Sequence, residues 1–292
     1  NRVAHMAHND LFSVQGKTAI VTGASYGLGV TFAEALADAG ANVVLSARSE
    51  DKLNDVAATL AGKAGKSLVV RCDVTSNTDV TALVDAAEAR FGRVDILVNN
   101  AGASIEAGIM PERVPAEAFA ATIAVNLLGA FACAQEVGKR MLADGKGGSI
   151  INIASIMGLA GQQNGPVAYQ ASKAALINMT RNLGASWADR NVRVNAIAPG
   201  WFPSEMTAGW FAVPEFLARF VNQAPMNRIG DPSELVGPLL FLASDASSFV
   251  TGQTLAVDGG LSNTVGGNYT PELFAQQAAV IPDGLGARIM PA

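Results

Sequence analysis

A chain of 292 residues, half of it hydrophobic and only 15% charged, can bury a substantial core and fits one large domain. Its net charge of −5, with no cluster of Lys and Arg, argues against nucleic-acid and membrane-surface partners. No run approaches the roughly 18 apolar residues of a membrane span, and no basic segment leads into an apolar core and cleavage site, so the expected location is the cytoplasm.

A tail over residues 1–11 comes first, and residues 1–5, ahead of Met6, read as a cloning remnant rather than native sequence. From Lys17 to Leu97, short Val/Ile-rich runs alternate with alanine-rich segments of helical period. A strand over 18–22 is followed by a helix over 29–40, a strand over 41–46, a helix over 51–62, a strand over 67–71, a helix over 79–92 and a strand over 94–98. The second half continues with a helix from about Glu117 to Leu142, a strand over 148–154, a helix from about Tyr169 to Asp189, and strands over 192–198 and 254–258. Continuous apolar strands are buried on both faces, and helices between them demand crossovers. The pattern predicts an α/β fold with a single doubly wound parallel sheet and helices on both faces. Residues 201–230 break this rhythm with prolines and aromatics and are expected to form a flap over a pocket. The tail over 262–292 has weak periodicity and no assigned role. Cys72 and Cys133 stand in apolar surroundings as expected buried free thiols. Two lone cysteines, with histidines only at His5 and His8, leave no catalytic zinc set and no Ser-His-Asp triad, and no metal is expected.

The first strand runs directly into Gly23, Ser25, Tyr26, Gly27, Leu28 and Gly29, which open the first helix. Glycines at a strand-turn-helix junction allow close backbone approach, and the helix N-terminus offers free amides to a pyrophosphate. The spacing G-x-x-x-G-x-G differs from G-x-G-x-x-G, so context carries the argument. The second strand ends in Ser46 and Arg48, with no carboxylate before Glu50. A guanidinium there suits a ribose 2′-phosphate, which makes NADP(H) the expected cofactor and NAD(H) the alternative.

Tyr169 and Lys173 stand four residues apart at a helix start, about 6 Å up one face, and Ser155 follows an apolar strand. An ammonium beside a phenol favours the phenolate and makes a usable proton donor and acceptor nearer neutrality. The spacing alone is common on helix surfaces, and the glycine loop gives it meaning.

Taken in order, TGASYGLG, Asn99-Asn100-Ala101-Gly102, Asn126 in AVNLLG, Ser155, the Tyr169/Lys173 pair, Pro199-Gly200 and Val257-Asp258-Gly259-Gly260 resemble the short-chain dehydrogenase/reductase family over residues 12–261. The resemblance implies a Rossmann fold and a catalytic set of Asn126, Ser155, Tyr169 and Lys173. Tyr169 would exchange a proton with the substrate oxygen while hydride moves to or from nicotinamide, and Ser155 would hydrogen-bond that oxygen. Lys173 would lower the tyrosine pKa and hold the nicotinamide ribose, and Asn126 would anchor a water in a proton relay. The resemblance also places Asp73 and Val74 beside adenine, Asn99, Ala101 and Gly102 along the ribose, and Pro199, Gly200, Phe202 and Ser204 near the nicotinamide. Tyr26 stands where NADP-preferring relatives often carry a basic residue, and Ser204 where threonine is frequent.

These residues describe an oxidoreductase interconverting a small, partly apolar ketone and a secondary alcohol. Ile156, Met157, Trp201, Phe202, Met206, Trp210 and Phe211 are candidate pocket walls, with Gln162, Gln163 and Asn164 as polar contacts. Sugar or polyol and 3-oxoacyl substrates are the alternatives, and a dinucleotide-binding protein without turnover is the reading from another class. By the resemblance, the two long alanine-rich helices would pair across subunits in a homotetramer.

Overall fold

A computed structural model describes residues 10–264, so the expected remnant 1–5 and most of both expected tails lie outside the described residues. Seven strands, β1 (Thr18–Thr22), β2 (Asn42–Ala47), β3 (Ser67–Arg71), β4 (Ile96–Asn99), β5 (Gly148–Ile153), β6 (Val192–Pro199) and β7 (Thr254–Val257), form one sheet. The order is β3-β2-β1-β4-β5-β6-β7 and every pairing is parallel. The order reverses between β1 and β4, which opens a crevice at the carboxyl ends of those two strands.

Helices α1 (Gly27–Asp38), α2 (Glu50–Thr59), α3 (Asn77–Phe91), α4 (Ala116–Ile123), α5 (Ala130–Asp144), α6 (Val167–Trp187), α7 (Glu205–Phe211), α8 (Pro214–Gln223) and α9 (Val236–Ala243) complete the chain. The two-residue period of a strand divides the apolar side chains between two layers. Ala19, Val21, Val43, Leu45 and Val98 pack with Phe32 and Leu36 of α1 and with Leu239 and Leu242 of α9. Ile20, Val44, Leu97 and Ile150 pack with Leu83 of α3 and Val137 and Met141 of α5 on the other side. Both cysteines are free and buried.

The structure departs from the sequence reading in three elements. Helix α9 was not expected, because VGPLLFLA is apolar nearly all round and carries no amphipathic stripe; the 3-10 turn that leads into it, Pro232–Leu235, is opened by a capping box between Asp231 and Glu234. The expected long helix is three pieces, since between α4 and α5 the backbone widens into a π-helical stretch, Ala124–Gly129. The flap contains two helices, α7 and α8, tied together by aromatic contacts of Trp201, Trp210, Phe211 and Phe216 with Phe220.

Beneath the crevice runs a buried polar ladder. Asn99 Nδ2 donates to Asn152 Oδ1 at 3.0 Å and to the Ala130 carbonyl at 3.0 Å, and Asn152 Nδ2 donates to Thr180 Oγ1 at 2.8 Å. It ties β4, β5, α5 and α6 together where apolar packing alone would leave their relative heights loose. Asn152→Ala strands two buried polar partners and should lower stability by about 1–3 kcal/mol. Urea unfolding should show a lower midpoint with an unchanged slope.

Candidate functional site

The ends of β1 and β4 are stitched by side chains. Thr22 Oγ1 accepts the backbone N–H groups of Asn100 and Ala101, both at 3.1 Å, and Asn100 Nδ2 donates to the carbonyls of Thr22 and Gly23 at 3.0 and 3.1 Å. The glycine loop therefore lies directly on residues 100–101. Gly23 has φ +66°, and a Cβ there would stand 2.8 Å from Ala101 Cα. At Gly29 a Cβ would stand 2.1 Å from the Gly23 carbonyl oxygen. Only glycine fits either position.

A cleft of about 1010 Å³ opens along this seam. It is lined by Gly23, Ser25, Tyr26, Gly27, Leu28 and Gly29, by Arg48, Asp73 and Val74, by Ala101 and Gly102, by Ser155, Tyr169 and Lys173, and by Pro199, Gly200, Phe202 and Ser204. A dinucleotide fits the residues present. The glycine cradle would be filled by any Cβ, helix α1 has no acidic residue in its first turn and no side-chain cap, and its amides face the cleft. Asp73 is held by Thr75 N and Oγ1 at 2.9 and 2.7 Å, and these hydrogen bonds, with a smaller contribution from Arg48, keep its carboxyl below the usual range.

Two expected cofactor contacts lie elsewhere. Ser46 is fully buried inside β2, next to Cys72, so its hydroxyl faces the core, and Ser49 lines the cleft instead. Asn99 is also buried, its Nδ2 spent in the polar ladder and its Oδ1 without a partner among the described residues, and its neighbour Asn100 is the asparagine that lines the cleft. The expected pocket walls need a similar correction. Phe202 and Met206 line the cleft, whereas Trp210 and Phe211 join the aromatic core of the flap and Trp201 stacks on Phe220 with centroids 4.0 Å apart. Ile156, Met157, Gln162, Gln163 and Asn164 are not among the lining residues, and Gln162 is occupied through its backbone with the Gln170 side chain. Ile105 and Val125 supply apolar wall that the sequence reading missed.

The catalytic candidates come together at one end of the cleft. Helix α6 carries Tyr169 in its first turn and Lys173 one turn later, and Ser155 leaves β5 in extended conformation as the cap of a short turn, its Oγ accepting Met157 N at 3.1 Å. Lys173 is buried, donates to the Ile153 carbonyl at 2.7 Å, and sits 5.5 Å from the centre of the Tyr169 ring. Asn126, on the π-helical stretch, pairs both ways with the backbone of Ala103 at 2.7 and 2.8 Å and donates to Ser172 Oγ at 3.0 Å. Its side chain thus positions the cleft loop against α6.

The electrostatics of the chain on its own differ from the expectation that the Lys173 ammonium brings the phenol toward neutrality. Burial disfavours the charged form of each group. It raises Tyr169 above its ordinary value, opposed by a hydrogen bond from Ser155, and it lowers Lys173 to about 8. The lysine ammonium is directed at a carbonyl, and desolvation outweighs its attraction for the phenolate in the chain on its own.

One further cation reaches the glycine loop, at Tyr26, and the sequence reading did not include it. Lys52, in the first turn of α2, donates to Tyr26 Oη at 3.0 Å and lies over the Tyr26 ring at 4.1 Å. Its position one turn past Arg48 was the available signal. On the flap, Glu205 Oε2 would come within 2.9 Å of a Cβ on Gly27, so the flap closes onto the glycine loop.

Comparison with known proteins fits this geometry. A family model described as "Enoyl-(Acyl carrier protein) reductase" matches residues 23–262. A gluconate 5-dehydrogenase of Gluconobacter oxydans (strain 621H) is 37% identical over 262 residues, covering 88% of this chain and 99% of that protein. A 3-oxoacyl-acyl-carrier-protein reductase of Synechocystis sp. is 38% identical over 251 residues, covering 85% and 98%. Among solved structures, a gluconate 5-dehydrogenase from Burkholderia cenocepacia J2315 in complex with NADP and tartrate superposes with a TM-score of 0.82 at 38% identity, over 88% of this chain and 99% of that one.

Burying Lys173 has a measurable consequence for stability. Its folded pKa of about 8 lies below the ordinary 10.5, so the protonated form destabilises the fold at and below pH 8, and this is relieved as pH rises from 8 to 10.5. Lys173→Met should be more stable than the parent by about 1–3 kcal/mol at pH 7, with the gain shrinking across that window. Urea titrations at pH 7 and pH 10 test it, and a variant less stable at pH 7 would refute it.

Proposed function

Because the chain belongs to the short-chain dehydrogenase/reductase family and is an enzyme acting on CH–OH groups, we propose that it interconverts a ketone and a secondary alcohol with NADP(H), Tyr169 serving as acid/base. The observation that carries the reading is the convergence of Ser155, Tyr169 and Lys173 at one end of the glycine-floored cleft. A bound nicotinamide supplies or accepts the hydride. Tyr169 donates a proton to the carbonyl oxygen in reduction and takes it back in oxidation, and Ser155 holds the same oxygen and shares the charge developing on it. Lys173 brings a positive charge beside the Tyr169 ring, and its ammonium would hold the nicotinamide ribose. Asn126 keeps the loop wall in register with α6, and a proton relay through that region is part of the proposal.

Arg48 and Lys52 together support a 2′-phosphate, and Lys52 answers the departure at Tyr26 by bringing to the glycine loop a cation that the loop itself lacks. The NADP-bound dehydrogenase structure from Burkholderia cenocepacia agrees with this preference. Apart from Arg48 and Lys173, the charged side chains lining the cleft are Asp73 and Glu205, and no further cation faces the substrate end among the described residues. An uncharged, partly apolar substrate against Ile105, Val125 and Met206 is therefore favoured. The sugar-acid and acyl-carrier substrates named for relatives are the competing reading.

We place the protein in the cytoplasm as a homotetramer. The continuous helical stretch made by α4, the π-helical turn and α5, from Ala116 to Asp144, is long and apolar enough to cross a bilayer, and only 28% of its most apolar window is buried within the chain. Phe119, Leu128 and Phe131 are exposed, and pairing with a second copy would cover them.

Tyr169→Phe should lower kcat by about 100- to 10,000-fold while dinucleotide binding, read by fluorescence titration, stays within about twofold; retained turnover would remove the proton-transfer role. Arg48→Ala should cut the NADP-over-NAD ratio of kcat/KM by about 10- to 100-fold, and Lys52→Ala by a smaller, salt-dependent factor. An unchanged ratio in both variants would refute the phosphate assignment. The same assays with uncharged ketones beside aldonates decide the substrate class.

A further inference from the structure

Glu106 is a fully buried carboxylate that none of the roles above uses. It lies on the loop after β4, a few residues beyond Ala101, Gly102 and Ala103 of the cleft wall. Its Oε1 accepts the backbone N–H of Tyr169 at 2.7 Å, and its Oε2 accepts the hydroxyl of Thr122 at 2.5 Å. Thr122 Oγ1 in turn accepts Ile105 N–H at 3.2 Å, which leaves its own proton committed to Glu106. Both carboxyl oxygens accept a hydrogen bond. Helix α6 begins at Pro166, which has no side chain able to cap it, so the Tyr169 amide at the third helical position has no local partner. A side chain 63 residues away in sequence supplies that partner.

We propose that Glu106 is a positioning residue that fixes the height of Tyr169 in the cleft and, through its charge, holds the phenol in its protonated form. The inference rests on the reading of Tyr169 as the acid/base. Three contacts bear on the position. From the loop after β4 comes the Glu106 carboxylate, from the end of β5 the Ser155 hydroxyl, and from α6 itself the Lys173 ammonium. From α4 comes only the neutral Thr122, through Glu106. The positive end of α6 and the Lys173 charge both favour a phenolate, and Glu106 opposes them. Its link to the wall loop also ties Tyr169 to the residues beside the dinucleotide, so the proton donor and the cofactor wall move as one piece.

Two substitutions separate the charge from the contact. Glu106→Gln keeps an acceptor for Tyr169 N–H and a polar group for Thr122 while removing the charge, whereas Glu106→Ala removes both. In alcohol oxidation, the acid limb of kcat/KM against pH should move down by roughly 0.5–1 unit in Glu106→Gln, because the phenolate forms more readily. Glu106→Ala should lose about 10- to 100-fold in kcat with dinucleotide affinity within about twofold, and glutamine should restore most of that loss. If Glu106→Ala does not fold, Thr122→Val, which frees Oε2 and leaves the charge in place, should lower kcat without moving the acid limb. An unmoved acid limb in Glu106→Gln, or dinucleotide affinity falling in step with kcat, would overturn the proposal. Tyr169→Phe is run alongside: if it is inactive while Glu106→Gln behaves as the parent, only the positioning role fails, and if it turns over, the acid/base reading itself fails.

Discussion

The seam where β1 and β4 lie side by side governs the rest of the molecule. These strands are separated in sequence by α1, β2, α2, β3 and α3, and the sheet order reverses between them. No crossover helix can lie over both ends at once, so the crevice stays open. Thr22 and Asn100 then lock the two strand ends into a single surface through four hydrogen bonds, with Gly23 pressed against Ala101. The phosphate-facing loop and the wall leading to Glu106 are consequently one rigid body. A shift in either would break buried backbone contacts, each of which costs more to leave unmade than it contributes when formed.

From that seam the placement of the chemistry follows in short steps. Residues 101–106 run from the seam toward α6, held at Ala103 by Asn126 and at Glu106 by Thr122 and Tyr169 N. Thr122 and Asn126 stand four residues apart where α4 runs into the π-helical stretch, a spacing that lets both address the same loop. Ser155 arrives from the neighbouring strand β5, whose pairing with β4 is fixed by register and by the Asn99–Asn152 contact. The tyrosine is thus located by backbone geometry on three sides before any ligand is considered.

Much of this was legible in the amino-acid sequence. Val/Ile runs separated by helical segments reported the parallel sheet, and the glycine loop, Ser155, Tyr169 and Lys173 were readable as candidates that the fold brings to one cleft. What stayed hidden depends on distance in space. Ser46 and Arg48 stand two residues apart and looked equivalent, yet Ser46 lies inside β2 and is buried, whereas Arg48 lies beyond the strand end and lines the cleft. Asn99 and Asn100 differ in the same way. The flap aromatics read as pocket wall because apolar residues in a loop signal burial without saying against what, and here they are buried against Phe220. Glu106 left no signal at all. It has no motif around it, and its partners lie on α4 and α6.

The arrangement places opposed charges in a poorly solvated pocket and relies on the fold to keep them there. Lys173 would be more comfortable in water, as its lowered pKa shows, yet its ammonium is held by the Ile153 carbonyl at the end of a strand that the rest of the sheet keeps in place. Glu106 is satisfied by an amide and a hydroxyl, groups that hydrogen-bond a carboxylate without neutralising it. Among the described residues neither charge is joined to an opposite one, which the proposed influence of Glu106 on Tyr169 requires. A direct Lys–Glu pair in the same space would stabilise the fold and silence the field at Tyr169. Separate backbone partners for each charge leave the proton affinity of the tyrosine open to a third influence, the charge on the dinucleotide brought against it.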